Sequence, residues 1–415
     1  MGLRCKVMGI AGRFLEQRLN ADVSDHAGAQ MGCCCGGTAR YVDRREKHFT
    51  TVLGPLHLSR AYYHCDACGA GFCPRDRVLG LEGTSLSPGV LRMVGFVGAS
   101  VSFEEGSELL KELAGVSVST KVIERSAEAL GREIARDERE TMETDADCEL
   151  PPTLYLGVDG TGIPMRDEAL KGRKGKQADG SAKTREVKLC TVWSAEGRDE
   201  KGTPVRDEGS VSYTAAIESA AEVADGSPSA FAGRVLREAA RRRYDTVTRR
   251  VILGDGALWI WNLADTHFPG AIQIVDRFHV KEHLSNVAKA IWGGPCDLSR
   301  DWAKARHEEL DDENFKFLFR ALLTHANFVP EAQQCLHYLR HNRQRMRYKT
   351  FRAMGLCTST GVVEAGCKHT IGTRLKRPGM HWTESGANAI IALRCSRLSG
   401  RFESFWERRQ LSKAA

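Results

Sequence analysis

Leu154 to Pro164, LYLGVDGTGIP, is the stretch on which the fold turns. Leu154, Tyr155, Leu156 and Val158 run straight into Asp159, with Gly160 and Gly162 behind it. The pattern predicts a buried strand whose last residue is a carboxylate, emptied into a tight glycine turn. A carboxylate at the end of a buried strand costs desolvation unless it is paired or holds a metal ion. An Asp before a Gly also often does no more than cap a turn, so the rest of the chain has to decide.

Two further stretches repeat the logic. Val251-Ile252-Leu253 is a short apolar run that ends in Gly254-Asp255-Gly256 and passes into an amphipathic helix with Leu258, Ile260, Trp261 and Leu263. Ala271 to Val275 is another apolar strand, ending at Asp276-Arg277-Phe278-His279 before a further helix. Three strands that stop at an Asp are hard to ascribe to three unrelated turns, because α/β sheets assemble their sites at strand ends. Between the first and second of them, REVKLCTVWSA alternates as a hairpin partner for the Asp159 strand, and VSYTAA reads as a third strand. The polar Lys/Gly-rich stretch from Arg166 to Thr184 reads as a loop, and Ala215 to Arg242 as helical.

From Val280 to about Phe351 the pattern is helical throughout, with a break at Pro330. GVVEAGCKHTIGTRLKRPGMHW then places Glu364 on the first turn of a helix, followed by Cys367, Lys368, Arg374, Lys376 and Arg377. A carboxylate among cations is usually a surface ion pair. Here, though, two strand-end Asp and a helix Glu form the donor set that a pair of hard cations needs for phosphoryl transfer. No P-loop, GxGxxG or GxSxG elbow points to another chemistry.

The N-terminal part carries its own signal. Cys65-Asp66-Ala67-Cys68-Gly69 is a CxxCG knuckle that aims two thiolates at one point, and a second pair about 30 residues away would complete a tetrahedral zinc site. Cys33-Cys34-Cys35 stands where that pair belongs, without CxxC spacing. Cys35, Cys65 and Cys68 are the candidate ligands, Cys73 or His64 could replace what the first half does not supply, and a metal-free ribbon is the alternative. The segments Phe49 to Leu53 and Leu56 to Tyr63, joined through Gly54-Pro55, read as a β-hairpin. Beyond them, Ser102 and Glu105 form a capping box, Gly115 stops the first helix, and Ser119 caps a second with Val122, Ile123, Ala127, Leu130 and Ile134. Helix, short turn, helix is the layout of a DNA-binding helix-turn-helix, and equally of two helices packed for structure alone. An acidic linker follows from Arg136 to Pro152.

With 415 residues, 42% hydrophobic and 27% charged, the chain is an ordinary globular one with room for two or three domains. A net charge of +7 suits a polyanionic partner. No signal peptide or membrane span is apparent, so a cytoplasmic protein without a membrane partner is expected. In a reducing compartment the 14 Cys are not a disulfide framework, and the seven scattered from Cys148 to Cys395 read as small core residues.

VDGTGIP, GDGALWIWNLA, VDRFHVKEHL and GVVEAGCKHTIGTRLKRPGMHW resemble, in order, the signatures of the ISKra-type bacterial insertion-sequence transposases, DDE enzymes distantly similar to Mutator-type transposases. RAYYHCDACGAGFCPRDRVLGL resembles the same family. The resemblance implies an α/β fold: a ribonuclease-H-like mixed-sheet core with an all-helical insertion, preceded by a zinc-ribbon-like and a helix-turn-helix-like module. It divides the chain into a zinc-ribbon-like module over 1–80, a helical DNA-binding module over 84–148, and the first part of the core over 153–281. The helical insertion then takes 282–355, the final part of the core with Glu364 takes 356–400, and a tail takes 401–415. Asp159, Asp255 and Glu364 match the catalytic, magnesium-binding (or manganese-binding) acids, with two ions implied. Asp276 and His279 match a site-adjacent Asp-x-x-His signature. Lys368, Arg374, Lys376 and Arg377 are expected to hold phosphates. The departure is at Cys33-Cys34-Cys35, where the family leads one to expect CxxC before Gly-Gly, and it bears on zinc rather than on catalysis. The implied partners are terminal inverted repeats and target DNA, with the protein acting as a homo-oligomer on DNA. A nuclease or resolvase that cuts without joining, and an inactive DNA-binding derivative, are the alternatives.

Overall fold

The structure, a computed structural model, describes residues 2–141, 149–175, 177, 180–221 and 223–414. Of the expected linker, positions 142–148 with Cys148 lie outside the described residues, as do positions 176, 178 and 179 of the Lys/Gly-rich loop. The chain divides into two compact units, Met1–Asp137 with Ala389–Ala415, and Glu138–Asn388.

In the first unit α1 (Gly2–Ala21) precedes four antiparallel strands that lie side by side in chain order: β1 (Gln30–Gly32), β2 (Thr38–Thr51), β3 (Gly54–His64) and β4 (Gly71–Phe72). β2 and β3 form the expected hairpin, longer than the sequence suggests, with Thr51 opposite Gly54 at the turn and Arg40 opposite His64 at the far end. One face buries Phe49, Leu56 and Leu58 with Leu81, against Leu15 and Leu19 of α1. Four helices follow: α2 (Pro74–Val78), α3 (Pro88–Ser100), α4 (Phe103–Leu109) and α5 (Thr120–Glu140). The capping box of Ser102 and Glu105 is present, and Gly115 ends the first helical stretch in the left-handed conformation at φ 71°. α5 buries Ile123, Ala127, Leu130 and Ile134.

The second unit is built on a five-stranded mixed sheet. β5 (Thr153–Pro164) pairs antiparallel with β6 (Thr184–Trp193), and β6 with β9 (Ser212–Ala216), while β7 (Gly197–Arg198) and β8 (Pro204–Val205) form a small separate pair. After α6 (Ala230–Arg241), β10 (Arg249–Gly254) lies parallel to β5, and after α7 (Leu258–His267), β11 (Ile272–Val275) lies parallel to β10. The order is therefore β11-β10-β5-β6-β9. The central strands are apolar on both faces, with Leu154, Tyr155, Leu156, Val158, Val251, Ile252 and Leu253 all buried, as expected of strands covered on both sides. The helices α8 (Arg277–Trp292), α9 (Asp297–Asp311), α10 (Phe315–His325), α11 (Pro330–Asn342) and α12 (Tyr348–Ala353) follow, with no strand among the described residues of that stretch. α13 (Gly361–Gly366) carries Glu364, and α14 (Thr373–Leu375) is a single turn. The last two helices are α15 (Glu384–Leu398) and α16 (Phe402–Ala414). From Ala389 onward the chain belongs to the first unit, so residues 389–400 cluster there rather than with the sheet that carries Asp159.

Two expectations change. The Asp159 strand does not end in a glycine turn: β5 continues to Pro164, with Asp159 opposite Leu189, Gly160 opposite Lys188 and Gly162 opposite Glu186. Neither glycine has a positive φ. Their missing side chains make room for β6 instead, since a Cβ at Gly160 would lie 2.3 Å from a Glu186 carboxylate oxygen and one at Gly162 would lie 2.9 Å from the Thr184 hydroxyl. The helix expected from Ala215 begins only at Ala230, where the Ser229 hydroxyl accepts from the Ala232 N–H after Pro228.

Candidate functional site

Asp159, Asp255 and Glu364 line one cleft of about 120 Å³, together with Val158, His279 and Thr360. Each arrives on a different element. Asp159 projects from the middle of β5, and Asp255 from the loop after β10, where its carboxylate accepts from the Ala257 N–H at 2.9 Å. Glu364 lies in the first turn of α13, its backbone N–H bonded to the Thr360 carbonyl at 2.9 Å.

The approach of α13 to the sheet depends on glycine. A Cβ at Gly157 would lie 2.1 Å from Val363 Cγ2 and 2.8 Å from Trp193, and one at Gly366 would lie 3.0 Å from the Tyr213 ring. Gly157 is two residues before Asp159 and Val363 one before Glu364, so this contact sets how close the two carboxylates come. We expect Gly157→Ala to cost about 3 kcal/mol of stability, at the upper end for overpacking a core. Chemical denaturation measures that cost, and a loss under about 0.5 kcal/mol would show that the contact yields.

Burial raises the Asp159 carboxyl above its ordinary range, and the negative charges of Asp255 and Glu364 raise it further. The Gly160 N–H, at 2.7 Å, and the Cys367 thiol donate to it and act in the opposite direction. Burial pushes the Cys367 thiol itself up, so it stays protonated as a donor. Three acids around one small cleft repel one another when ionised, and a positive charge placed between them would relieve that repulsion.

Asp276 does not line this cleft. It is 2% exposed and holds two helix starts together. One carboxylate oxygen accepts from the His279 N–H at 2.6 Å and so caps α8, while the other accepts from the Thr360 hydroxyl at 2.7 Å and from the Thr360 N–H. It is a positioning residue for the segment that leads into Glu364. His279 does face the cleft, with Nε2 3.2 Å from Nε2 of His283. The His283 ring packs on Tyr338 at 4.7 Å, and the Tyr338 hydroxyl donates to the Asp255 carbonyl at 2.8 Å. The helices after β11 thus brace the second acid. Burial holds His283 below its ordinary pKa, with His279 adding to the effect.

The four cations expected to hold phosphates separate. Lys368 and Lys376 are exposed, and the Lys376 ammonium donates to the Thr161 hydroxyl two residues past Asp159. Arg377 is half-buried. Arg374 is 0% exposed, with its guanidinium 5.2 Å from the Trp382 ring centre and 3.5 Å from Met380 Sδ. A guanidinium enclosed in this way packs the core and is out of reach of a phosphate.

In the first unit the sulfurs of Cys33, Cys35, Cys65 and Cys68 all lie within 4.8 Å of one another. Cys33, not Cys73 or His64, supplies what the sequence left open. The loop between β1 and β2 and the loop between β3 and β4 sit at the same end of the sheet, and each folds back on a left-handed glycine, Gly36 at φ 81° and Gly69 at φ 72°. Cys33 to Cys68 is 3.6 Å and Cys35 to Cys65 is 3.7 Å, against an edge of about 3.8 Å for a tetrahedron with Zn–S bonds near 2.3 Å. The Cys68 N–H holds the Cys65 thiol down to about 7, while at Cys68 the Ala70 N–H is outweighed by the neighbouring thiols, which push it up to about 12, so without metal Cys65 is the sulfur that ionises first. We expect one zinc per chain and cobalt-substituted protein with thiolate-to-metal absorption, both lost in Cys33→Ser. Full metal content in that variant would exclude Cys33 as a ligand.

Residues 38–410 match the uncharacterised protein family UPF0236. This chain belongs to the UPF0236 family. One relative, described as the UPF0236 protein in the vanSb 3′ region of Streptococcus gallolyticus, is 22% identical over 379 residues, which cover 88% of this chain and 76% of that protein. Among solved structures, the Drosophila P element transposase strand transfer complex is similar over 81% of this chain and 84% of its own, at 10% identity and a TM-score of 0.28, too slight a likeness to establish a common fold. The UPF0236 match covers both the cleft acids and, from residue 38 on, two of the four clustered cysteines. No helix among the described residues is long and apolar enough to cross a membrane.

Thr360 and Cys367 carry no sign of a site role in the sequence, whereas Cys33 belongs to the run in which the second ligand pair is expected. Only Cys33 left a signal, since Cys-x-Cys followed by two glycines can turn as tightly as CxxC.

Proposed function

We propose that this protein is a DNA transposase of the ISKra-type DDE class, which cleaves phosphodiester bonds at insertion-sequence ends and joins the freed 3′-hydroxyl to target DNA. The observation that carries the reading is the convergence of Asp159, Asp255 and Glu364, from three distant segments, on one small cleft. The sheet, a three-strand antiparallel meander continued by two parallel strands, agrees with a ribonuclease-H-like core.

The three carboxylates would hold Mg²⁺ or Mn²⁺, and two such ions supply Lewis-acid activation of the attacking oxygen and charge stabilisation of the leaving one. The chain's own groups do the rest. Gly160 N–H and the Cys367 thiol fix the Asp159 carboxylate, and Asp276 fixes the entry to the Glu364 helix. His279 presents an imidazole to the cleft, able to exchange a proton with water or with the hydroxyl. Lys376, beside β5, offers a cation to the substrate backbone. The cysteine cluster belongs to the other unit, where zinc would have a structural role.

The test is an assay with the purified protein, Mg²⁺ or Mn²⁺, labelled duplexes carrying the DNA that flanks the gene, and a target plasmid. Nicks with 3′-hydroxyl ends and joined products are the expected result. Nicking without joining would make the protein a nuclease or resolvase, and no metal-dependent cleavage would overturn the reading.

A further inference from the structure

We propose that the outward face of α5, formed by Lys121, Arg125, Arg132 and Arg136, binds the phosphate backbone of duplex DNA. The choice of DNA over other polyanions rests on the transposase reading; the surface itself does not. From Lys121 to Arg136 the exposed positions of α5 are 121, 125, 129, 132 and 136. At 100° per residue these five fall within an arc of about 80°, and four of them are cationic while the fifth is Ala129. The stripe is about 22 Å long at 1.5 Å per residue, enough to follow a duplex backbone or to enter a major groove about 12 Å wide.

The opposite side of α5 is fixed. A Cβ at Gly98 of α3 would lie 2.7 Å from Ala127 Cβ, and one at Gly131 would lie 2.0 Å from the Ala389 carbonyl oxygen, so α5 is held at backbone contact on both neighbours. Its acids are turned off the stripe. Glu133 pairs with Arg409 at 2.9 Å and Asp137 with Arg408 at 2.5 Å. Glu124 and Glu128 are half-buried beside the stripe, at 2.6 Å from Lys121 and 3.4 Å from Arg132. Exposed pairs one turn apart are weak and screened by salt, so a phosphate displaces them readily. Arg125 and Arg136 make no ion pair among the described residues.

Solvated helices usually intersperse both signs of charge on the outer face, whereas from Lys121 to Arg136 every exposed charged side chain is a cation, and the exposed Glu140 lies one turn beyond the stripe. A protein partner would look for an apolar or aromatic centre, and the stripe offers only Ala129. A regular polyanion is what the face fits.

The test is equilibrium binding of the full chain to a fluorescent random-sequence duplex of about 30 base pairs, in EDTA so that no cleavage occurs, across 50–300 mM salt. In Arg125→Gln/Arg132→Gln/Arg136→Gln, the slope of log affinity against log salt is expected to flatten by about 0.9 per lost contact. Gln is a good helix former, and circular dichroism verifies that α5 remains folded. The triple Arg→Lys variant should keep the wild-type slope, as should Arg300→Gln, which removes an exposed cation from α9. An unchanged slope in the triple Gln variant overturns the assignment, and so does a wild-type chain that fails to bind duplex at 50 mM salt. A flattened slope in a protein that cleaves nothing supports the surface while counting only against the proposed activity.

Discussion

Asp159→Asn, Asp255→Asn and Glu364→Gln are each expected to lower strand cleavage about 10³-fold or more, because each removes a charged oxygen donor from the same small cleft and groups that act as a unit fail together. Double variants should therefore be no worse than singles. Asp159→Asn carries a second signature. Burial and the two neighbouring acids raise the Asp159 carboxyl above its ordinary value of 3.8, so between that value and the raised one the folded chain binds more protons than the unfolded chain. The contribution of this group to stability is then greatest below the ordinary value and declines as pH rises through the raised one. At neutral pH the ionised carboxylate is a net cost in the metal-free protein. Asn keeps an oxygen for the Gly160 N–H and the Cys367 thiol while removing the charge. The variant should be more stable than the parent at pH 7 by on the order of 1 kcal/mol, and the gain should vanish toward pH 3. Mg²⁺ should stabilise the parent and not the variant. Thermal unfolding at the two pH values, with and without Mg²⁺, measures all of this; a variant less stable than its parent at pH 7 would assign Asp159 to structure instead of function.

That an inactive variant should gain stability shows why the acids were legible in the sequence at all. A carboxylate embedded in LYLGVDGTGIP conflicts with its apolar surroundings, and such local conflicts are expected at functional sites. The strands around Asp255 and Asp276 and the helix of Glu364 could be read for the same reason, since period and punctuation are local properties. What was not legible depends on partners distant in the chain. Gly160 and Gly162 look like a turn until β6 is laid alongside and Glu186 and Thr184 claim the space. Gly157 looks like nothing until Val363 arrives across it. Arg374 sits in a basic run and reads as a phosphate ligand, yet Trp382, eight residues on, folds back to cover it. Asp276 repeats the strand-then-Asp pattern, but its second partner, Thr360, lies beyond the whole helical stretch.

Asp276→Ala tests that last distinction. The carboxylate accepts three hydrogen bonds inside the protein, from the His279 N–H, the Thr360 hydroxyl and the Thr360 N–H. Removing it uncaps α8 and leaves buried donors facing a void. A lost cap costs about 1 kcal/mol, and each donor left buried and unsatisfied about 1–3 kcal/mol, so a total of about 4 kcal/mol is expected. Asp276→Asn should be milder for α8 but not for Thr360. If the amide oxygen stays on His279, its NH₂ is turned toward the Thr360 N–H, and two donors then face each other. The consequence for activity follows from geometry: Thr360 lines the cleft and its carbonyl accepts the Glu364 N–H, so a displaced Thr360 moves the third acid. Cleavage should fall in both variants, and the remaining activity should need more Mg²⁺ for half-saturation, because the carboxylates are intact but misplaced. A direct metal ligand would behave differently, since its loss would abolish cleavage at any Mg²⁺ concentration without a comparable loss of stability. Denaturant unfolding and a Mg²⁺ titration of cleavage, on the same protein samples, decide between the two roles.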